Sequence, residues 1–365
     1  MDFGNIGFIG LGLIGGSIAK TIKRIYPVTT MIATAGHLST VQEAFEDGTI
    51  CNDSLLDMTA FSECDLIFLC CPVQKNIEYL KQLSSVIKEN CILTDVGSVK
   101  TDIHEEVLHL GMEANFIGGH PMTGSEKTGY NHATAYLLEN AYYILTPSSQ
   151  TNEGTLQQFK EYVSSLGAIT KVLDYREHDH ATASISHLPH VIAASLVNLI
   201  ASIDDEHGTM KSIAAGGFKD ITRIASSSPV MWQNICLSNR EQIKLLIDKF
   251  TNMLSDAKKL IDKEDADAIY HFFETAKDYR DSIQITQSGP LEKIFEFYCD
   301  LIDEAGGIAT IATILASNNL SIKNIGIVHN REFEQGVLRI EMYDQSSLEQ
   351  SIALLKKYHY TVYVR

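Results

Sequence analysis

The chain has 365 residues, a formal net charge of -17, 45% hydrophobic residues and 21% charged residues. Its length exceeds what one hydrophobic core supports, so two or three domains are expected, and its composition excludes a disordered or fibrous protein. The acidic balance argues against nucleic acid or an anionic membrane as a partner, because both bind clustered Lys and Arg.

The first 150 residues alternate short apolar runs with amphipathic stretches, which is the pattern of a doubly wound α/β domain. Strands are predicted at residues 6–9, 31–33, 66–70, 91–94, 116–117 and 142–145. Helices are predicted between them at residues 15–25, 40–47, 74–86 and 100–110. Crossovers of this length connect parallel strands, so we expect a parallel sheet.

A glycine-rich segment, residues 10–15 (GLGLIG), follows the first predicted strand and opens the first predicted helix. In that context Gly10 makes the turn, Gly12 lets the backbone approach a diphosphate, and Gly15 lets the helix pack closely on the strand. The helix N-terminus favours the anion. The segment predicts a Rossmann-type dinucleotide site at residues Gly10, Gly12, Leu13, Ile14 and Gly15.

The turn after the second strand, residues 33–37 (ATAGH), departs from the usual nucleotide pattern. It has neither the acid that binds the ribose of NAD nor the Arg that accepts the 2′-phosphate of NADP. Thr34 and His37 either hydrogen-bond a sugar or cap the turn. We expect NAD as the cofactor and leave NADP open.

Two segments follow later strands, at the sheet edge where ligands gather in open α/β folds. Residues 94–100 (TDVGSVK) carry Ser98, which is either a helix N-cap or a hydroxyl facing cofactor and substrate. Residues 71–73 (CPV) carry Pro72, which either shapes the floor under a nicotinamide or is an ordinary loop proline.

Residues 118–129 (GGHPMTGSEKTG) place an imidazole, hydroxyls and a carboxylate among glycines and a proline. This composition predicts a rigid loop that presents His120 as a proton-transfer group. The alternative is a surface loop whose histidine is solvated.

From about residue 152 the periodicity becomes helical, with helices predicted at residues 153–166, 181–203, 228–261 and 266–279. A helical domain is therefore expected over residues 151–283. In residues 186–190 (SHLPH), His187 and His190 are three residues apart. No third ligand at a fixed spacing is evident, so we predict no metal, and a catalytic-site His190 with a packed or solvated His187 fits better.

Residues 216–225 (GGFKDITRIA) combine a glycine break with a cation on the following turn. Arg223 has the forked geometry that binds a carboxylate through two hydrogen bonds, which would give this acidic protein an anchor for an acidic substrate. Alternatively, Arg223 pairs with Asp220.

The tail, residues 295–365, shows the order strand, helix, strand, strand, helix, strand. These elements are predicted at residues 295–301, 307–318, 322–328, 336–342, 347–357 and 361–364. The order fits a small ferredoxin-like α+β module, with residues 284–294 as the linker.

The seven cysteines are scattered without metal-binding spacing, and the N-terminus runs into a strand without a targeting pattern. A reducing cytoplasm is expected. No apolar run is expected to reach the roughly 18 residues that a membrane helix needs.

These motifs, in this order and spacing, resemble prephenate dehydrogenase over residues 5–282, and the tail resembles an ACT domain. The resemblance implies a homodimer that oxidises and decarboxylates prephenate to 4-hydroxyphenylpyruvate for tyrosine synthesis, and dimerises through its helical domain. Arogenate dehydrogenase is the nearest enzyme alternative, and a sensor of nucleotide and amino acid without turnover is the alternative from another class.

By motif position, the resemblance implies that His120 accepts the hydrogen bond of the ring hydroxyl as hydride leaves, while Ser98 holds both in place. Arg223 would bind a substrate carboxylate, and Trp232 would lie near the pocket or in the core. The remaining implied substrate residues are His190 and Ser125 for orientation, Glu126 as a gate, and Gly216.

In the tail, Ala305 stands where ACT domains usually have proline, directly before Gly306. Asn324 stands where such modules often hold the amino-acid group of an effector. The resemblance implies feedback by tyrosine or phenylalanine, with Gly306 and Asn324 as effector residues.

Overall fold

The computed structural model describes residues 3–124, 127–283, 295–300, 306–328 and 337–363, with only the backbone at Ile327 and Val328. The chain forms two compact units, Met1–Gln287 and Ser288–Arg365. The predicted linker, residues 284–294, lies outside the described residues.

The first unit begins with a parallel sheet of four strands in the order β2-β1-β3-β4. Its strands are β1 (Asn5–Ile9), β2 (Thr30–Thr34), β3 (Leu66–Leu69) and β4 (Ile92–Asp95), and its helices are α1 (Leu13–Ile25), α2 (Leu38–Glu46), α3 (Val73–Leu83) and α4 (Thr101–His109). Every side chain of β3 is buried, as expected of a strand covered on both faces. The predicted Rossmann-type domain is confirmed.

Three more strands extend this part of the unit: β5 (Ile117–Pro121), β6 (Tyr142–Pro147) and β7 (Ile169–Val172), with α5 (Glu153–Ser165) before β7. A single parallel bridge joins Leu93 to Phe116, β5 and β6 are antiparallel, and β6 and β7 are parallel. The sequence did not predict β7, because its four residues are too few and too exposed to show a pattern. The domain division at residue 150 stays a prediction, but the sheet continues beyond it to Val172.

The prediction of a loop was wrong for residues 118–121, which belong to β5. A Cβ atom on Gly119 would lie 2.6 Å from the carbonyl oxygen of Asp95, and one on Gly118 would collide with Thr146. The two glycines therefore let β5 fit between β4 and β6, and His120 projects from a strand.

The helical part contains α6 (Tyr175–Thr182), α7 (Leu188–Ile203), α8 (Thr209–Ile213), α9 (Gly216–Thr222), α10 (Pro229–Ser238), α11 (Arg240–Asp262) and α12 (Ala266–Ser282). A π-helical turn, Ala183–His187, joins α6 to α7. Pro189 follows it without a backbone N–H to donate, and the wider turn accommodates that missing hydrogen bond. The predicted helical domain is confirmed.

Together α6, the π turn and α7 form one helix, Tyr175–Ile203, with a mean hydropathy of 1.4 over its most apolar 18 residues. By length and composition alone it could cross a membrane, so the expectation of no such run was wrong. Ser195 and Asn198 interrupt the apolar run, but they are uncharged. The mean hydropathy therefore stays high enough for a membrane span. The start of the helix is polar, and its buried residues His178, Asp179 and Thr182 pack within the first unit.

The second unit contains β8 (Phe295–Asp300), α13 (Gly307–Ser317), β9 (Ile322–Val328), β10 (Val337–Met342), α14 (Gln345–Lys357) and β11 (Val362–Tyr363). Its antiparallel sheet has the strand order β11-β8-β10-β9. Both helices contribute to one apolar core that includes Phe297, Ile311, Ile340 and Leu355. The predicted order of elements is confirmed.

Candidate active site

The carboxyl ends of β4 and β5 are tied together by the buried carboxylate of Asp95. This carboxylate accepts hydrogen bonds from the backbone N–H of Gly97 (2.9 Å) and of Gly119 (3.2 Å). It also pairs with the ammonium of Lys100, and both side chains are 0% exposed. Ser98, after β4, and His120, on β5, consequently lie at the same edge of the sheet.

His120 is half-buried and begins a series of hydrogen bonds whose other members, His178 and Asp179, are buried. Its Nδ1 lies 2.8 Å from Nε2 of His178, and Nδ1 of His178 lies 2.8 Å from Oδ1 of Asp179. Asp179 also accepts hydrogen bonds from the backbone N–H groups of Lys100 (2.8 Å) and Thr101 (2.7 Å) and from the Thr101 hydroxyl (2.6 Å). These bonds fasten α6 to the N-terminus of α4.

Burial and hydrogen bonding set the charges of His120 and Asp179, the two ends of this hydrogen-bonded series. Burial holds the pKa of His120 well below its usual range and the positive charge of Lys100 lowers it further, so its ring is neutral at pH 7. Burial alone would raise the pKa of Asp179, but hydrogen bonds from His178 and Thr101 outweigh it and lower that pKa. A neutral imidazole and an ionised carboxylate result.

The two histidines of the SHLPH segment have different surroundings. His190 stacks on Trp232, with ring centroids 3.8 Å apart and an angle of 27° between the planes, and its Nδ1 donates to the carbonyl of Ser186 (2.9 Å). His187 is buried, and burial lowers its pKa to about 4. The amide of Asn239 donates to Nδ1 of His187 (3.2 Å). His187 is therefore a packed residue, one of the two alternatives expected for it.

No group of three His, Cys, Asp or Glu side chains that could hold a metal ion occurs in the described part of the chain.

Gly216 is the first residue of α9, and Arg223 begins a 3-10 turn, Arg223–Ser226, that packs against α7. Arg223 is exposed. Ser125 and Glu126 lie outside the described residues.

A cavity of about 310 Å³ separates the sheet edge from α10. Pro72, Gly97 and Ser98 line it on the sheet side, and Met231, Asn234 and Ser238 line it on the helix side. The structure thus brings the predicted residues Ser98 and Pro72 together in one lining. His120, His190 and Arg223 lie outside that lining.

The glycine loop has the geometry that a diphosphate needs. Gly10 has a φ of +100°, a conformation that favours glycine, and a Cβ on Gly15 would lie 2.8 Å from that of Cys70. By contrast, a Cβ on Gly12 would meet nothing within 4 Å. Leu13 and Ile14 open α1, so their N–H groups lack partners inside the helix. The open side of Gly12 and these N–H groups fit an anion.

The turn beyond β2 is held by Asn52, which the sequence analysis missed. The Asn52 side chain bonds both to the N–H (2.9 Å) and to the carbonyl (2.8 Å) of Ala33. The hydroxyl of Thr34 donates to the carbonyl of Leu56 (3.0 Å), so toward a ribose it can only accept. His37 is exposed at the start of α2.

Comparisons with known proteins identify the family of the chain. A family model described as prephenate dehydrogenase, nucleotide-binding domain, matches residues 18–172, and one described as prephenate dehydrogenase, dimerization domain, matches residues 174–275. The prephenate dehydrogenase of Bacillus subtilis (strain 168) is 37% identical over 356 residues, covering 96% of this chain and 95% of the relative. The chain belongs to the prephenate dehydrogenase family.

Two solved structures of such enzymes are similar to the chain. Prephenate dehydrogenase from Aquifex aeolicus, in complex with hydroxyphenyl propionate and NAD+, has a TM-score of 0.72 and 30% identity, covering 78% of this chain and 99% of that chain. Arogenate dehydrogenase from Synechocystis has a TM-score of 0.69 and 29% identity, covering 76% of this chain and 99% of that chain.

His178 and Asp179, like Asn52, were not among the residues predicted from the sequence. They lie in a polar helix, residues 175–182 (YREHDHAT). From the sequence alone, the two residues look the same as the solvent-exposed polar residues around them. The available signal was weak: a histidine directly followed by an aspartate, in a helix next to the SHLPH segment.

Proposed function

We propose that the chain is a cytoplasmic enzyme that catalyses the NAD-dependent oxidative decarboxylation of prephenate to 4-hydroxyphenylpyruvate in tyrosine biosynthesis. The observation that carries this proposal is the half-buried, neutral His120 at the sheet edge, in a chain that has a glycine loop and belongs to this family. A neutral histidine is a suitable acceptor for a hydroxyl proton.

The chemistry requires a base next to the carbon that loses hydride. As hydride leaves a carbon bearing a hydroxyl, positive charge is relieved by loss of the hydroxyl proton, which His120 accepts. Loss of the ring carboxylate as carbon dioxide makes the ring aromatic and drives the step forward. NAD supplies the hydride acceptor when bound, and Gly10, Gly12 and the first residues of α1 would hold its diphosphate.

The remaining residues position the substrate in this proposal. Ser98 and Pro72 line the cavity at the sheet edge and would contact the nicotinamide. On the helical side, Trp232 has a buried Nε1–H with no hydrogen-bond partner in the described residues, which suits it to donate to a substrate oxygen. His190 stacks against it. Gly216, Ser125 and Glu126 keep the substrate roles that the resemblance implies.

One assay tests the proposal: purified protein, NAD or NADP, and prephenate or arogenate, followed by the absorbance of the reduced cofactor. Turnover of prephenate is expected. Turnover of arogenate alone would favour the second candidate, which the likeness to the Synechocystis enzyme supports. No turnover with either substrate would favour a sensor and refute the proposal.

We predict that NAD is used in preference to NADP, with a kcat/KM advantage of roughly 10- to 100-fold. Residues 30–60, which include the turn after β2, contain no Lys or Arg to accept a 2′-phosphate. Initial rates across both cofactor concentrations measure the ratio. Gly36→Arg should raise NADP use, because a Cβ at Gly36 meets nothing within 4 Å. Equal use of both cofactors by the native protein would contradict the prediction.

We predict that Arg223→Ala raises the KM for prephenate by roughly 10- to 100-fold and lowers kcat much less. The reason is that a carboxylate clamp contributes binding in both the ground state and the transition state. Steady-state kinetics give the two constants. Arg240→Ala removes a guanidinium paired with Glu241 on the surface of α11 and should leave KM unchanged. An unchanged KM in Arg223→Ala would argue against the clamp, and an equal effect of Asp220→Asn would favour the local pair.

The helical domain is proposed to form a homodimer. Its helices expose large apolar side chains, among them Met253, Leu254, Tyr270 and Phe273, and the family model that matches this region is described as a dimerization domain. Light scattering should give twice the monomer mass. A monomer at micromolar concentration would remove this proposal.

The second unit is proposed to be an ACT domain that binds an aromatic amino acid. Its strand order and two helices suit a ferredoxin-like module. Gly306 has a φ of +95° and precedes α13, and Asn324 is exposed on β9, opposite Glu341. We predict that the full chain binds tyrosine in equilibrium dialysis and that Asn324→Ala weakens this binding. Absence of both tyrosine and phenylalanine binding would remove the proposal.

A further inference from the structure

We infer that His178 and Asp179 are positioning residues that fix the ring tautomer of His120, and that His178 receives the proton that His120 displaces. Neither residue has to touch substrate for this role. The inference deepens the proposed function, since it takes His120 as the base, but the tautomer itself is a property of the protein without substrate.

The tautomer follows from counting donors along the hydrogen-bonded series from His120 to Asp179. The ionised carboxylate of Asp179 can only accept, and the Lys100 and Thr101 groups already donate to it, so Nδ1 of His178 carries a proton toward it. A neutral imidazole has one N–H only, so Nε2 of His178 is an acceptor. Nδ1 of His120, 2.8 Å away, must then be the donor. The proton-free atom of His120 is therefore Nε2.

The opposite arrangement is disfavoured by the same contacts. If Nδ1 of His178 lacked a proton, its lone pair would face Oδ1 of Asp179 at 2.8 Å. Both groups are 1% exposed, so water does not relieve this repulsion. The amide of Asn239 donates to the backbone carbonyl of Asp179 (2.9 Å) and holds this part of α6 in place. Rotation out of the arrangement would break several buried bonds at once.

The hydrogen bond between His120 and His178 also provides a route for the proton that leaves the substrate hydroxyl. When Nε2 of His120 takes the hydroxyl proton, Nδ1 of His120 can pass its own proton to Nε2 of His178. The substrate oxygen loses one proton, His178 gains one, and no electron moves in this relay. His178 is then an imidazolium whose Nδ1–H bonds to the Asp179 carboxylate, so the new charge is paired.

Several other charged or titratable groups surround the two rings. They are Lys100 and His104 at α4, Asp95 at the end of β4, and His187 in the π turn. The ammonium of Lys100 disfavours a charge on His120. The carboxylate of Asp179 bonds to the ring of His178, so it lies next to the positive charge that the relay forms there.

Nitrogen-15 NMR of the histidine-labelled full chain tests the tautomer without substrate. His120→Asn assigns the His120 signals. At neutral pH we expect His120 with Nδ1 protonated and Nε2 proton-free, and we expect His178→Leu to shift His120 toward the Nε2–H form. His178→Gln keeps an amide oxygen that can accept from Nδ1, so it should retain the native tautomer. A native His120 protonated at Nε2, or a tautomer unchanged in His178→Leu, would overturn the inference.

Kinetics test the consequence for the reaction. We expect His178→Leu to lower kcat for prephenate by roughly 10²- to 10³-fold with KM little changed, and His178→Gln to recover most of the loss. His104→Leu is the matched control, because His104 is also a buried histidine, bonded instead to Thr146 (2.9 Å). Its kcat should stay near native. Equal kcat losses in His178→Leu and His178→Gln, or native kcat in His178→Leu, would overturn the positioning role.

The outcomes separate this inference from the proposed function. A native protein that turns over neither prephenate nor arogenate refutes the function, while the NMR result still decides the tautomer. If His178→Leu does not fold, the native spectrum and His178→Gln decide: a native His120 protonated at Nε2 overturns the inference, and one protonated at Nδ1 in both proteins supports it.

Discussion

Replacing His120 with asparagine is expected to cut turnover by roughly 10²- to 10⁴-fold while substrate binding stays nearly intact, as loss of a base should. Asparagine is polar and smaller than histidine, and its amide nitrogen can replace Nδ1 as the donor to His178. It has no atom that accepts a proton near neutral pH. The measurement is kcat and KM for prephenate at saturating NAD.

His132→Asn is the matched control for this experiment. His132 is exposed in a short 3-10 turn, Tyr130–His132, so the same substitution there should leave both constants unchanged. Near-normal turnover in His120→Asn would remove His120 from the role of base. A large rise in KM with unchanged kcat would instead make it a binding residue.

The pH profile provides a second measurement of the same role. The base must be neutral, so kcat/KM is retained above the pKa of His120 and lost as the pH falls through it. Burial and the charge of Lys100 lower that pKa, so the loss should occur below the value of about 6.5 usual for histidine. In His120→Asn, the fall in kcat/KM that protonation of His120 causes at low pH should disappear.

Local patterns in the sequence were sufficient to predict the four-stranded parallel sheet, the glycine loop and a helical region after it. They did not predict α8 and α9 or the break between α10 and α11. Gly10, Gly12 and Gly15 act within one turn of the backbone, so their spacing alone reveals their use. His178 is different, because its partner His120 lies 58 residues away in the chain and the contact exists only after α6 docks on α4. The same holds for Gly119, whose neighbour is the backbone of β4. A composition that indicates a loop in isolation becomes a strand when another strand must approach it closely.

Replacing Lys100 with methionine is expected to lower the free energy of unfolding by about 3–5 kcal/mol. Lys100 and Asp95 are both 0% exposed, and the substitution leaves the Asp95 carboxylate buried without its cation. Methionine retains an unbranched side chain, so packing against Gly118 should change little. Urea denaturation measures the loss as a lower midpoint at an unchanged slope.

A surface pair gives the matched comparison. Lys75 and Glu78 also form an ion pair, but their side chains are 51% and 57% exposed, so Lys75→Met should change the free energy by only about 0–1 kcal/mol. Equal small losses in the two variants would mean that the buried charge is compensated by other groups.

The double variant Lys100→Met with Asp95→Asn separates the two contributions to that loss. If the unpaired carboxylate causes it, removing the charge should recover a large part of the stability, because the amide oxygen of asparagine can still accept from Gly97 or Gly119. If lost packing around the Lys100 side chain causes it, the double variant should be no more stable than Lys100→Met. Recovery of stability without recovery of turnover would show that the ionised Asp95, bonded to the residue before His120, also sets the position of the base.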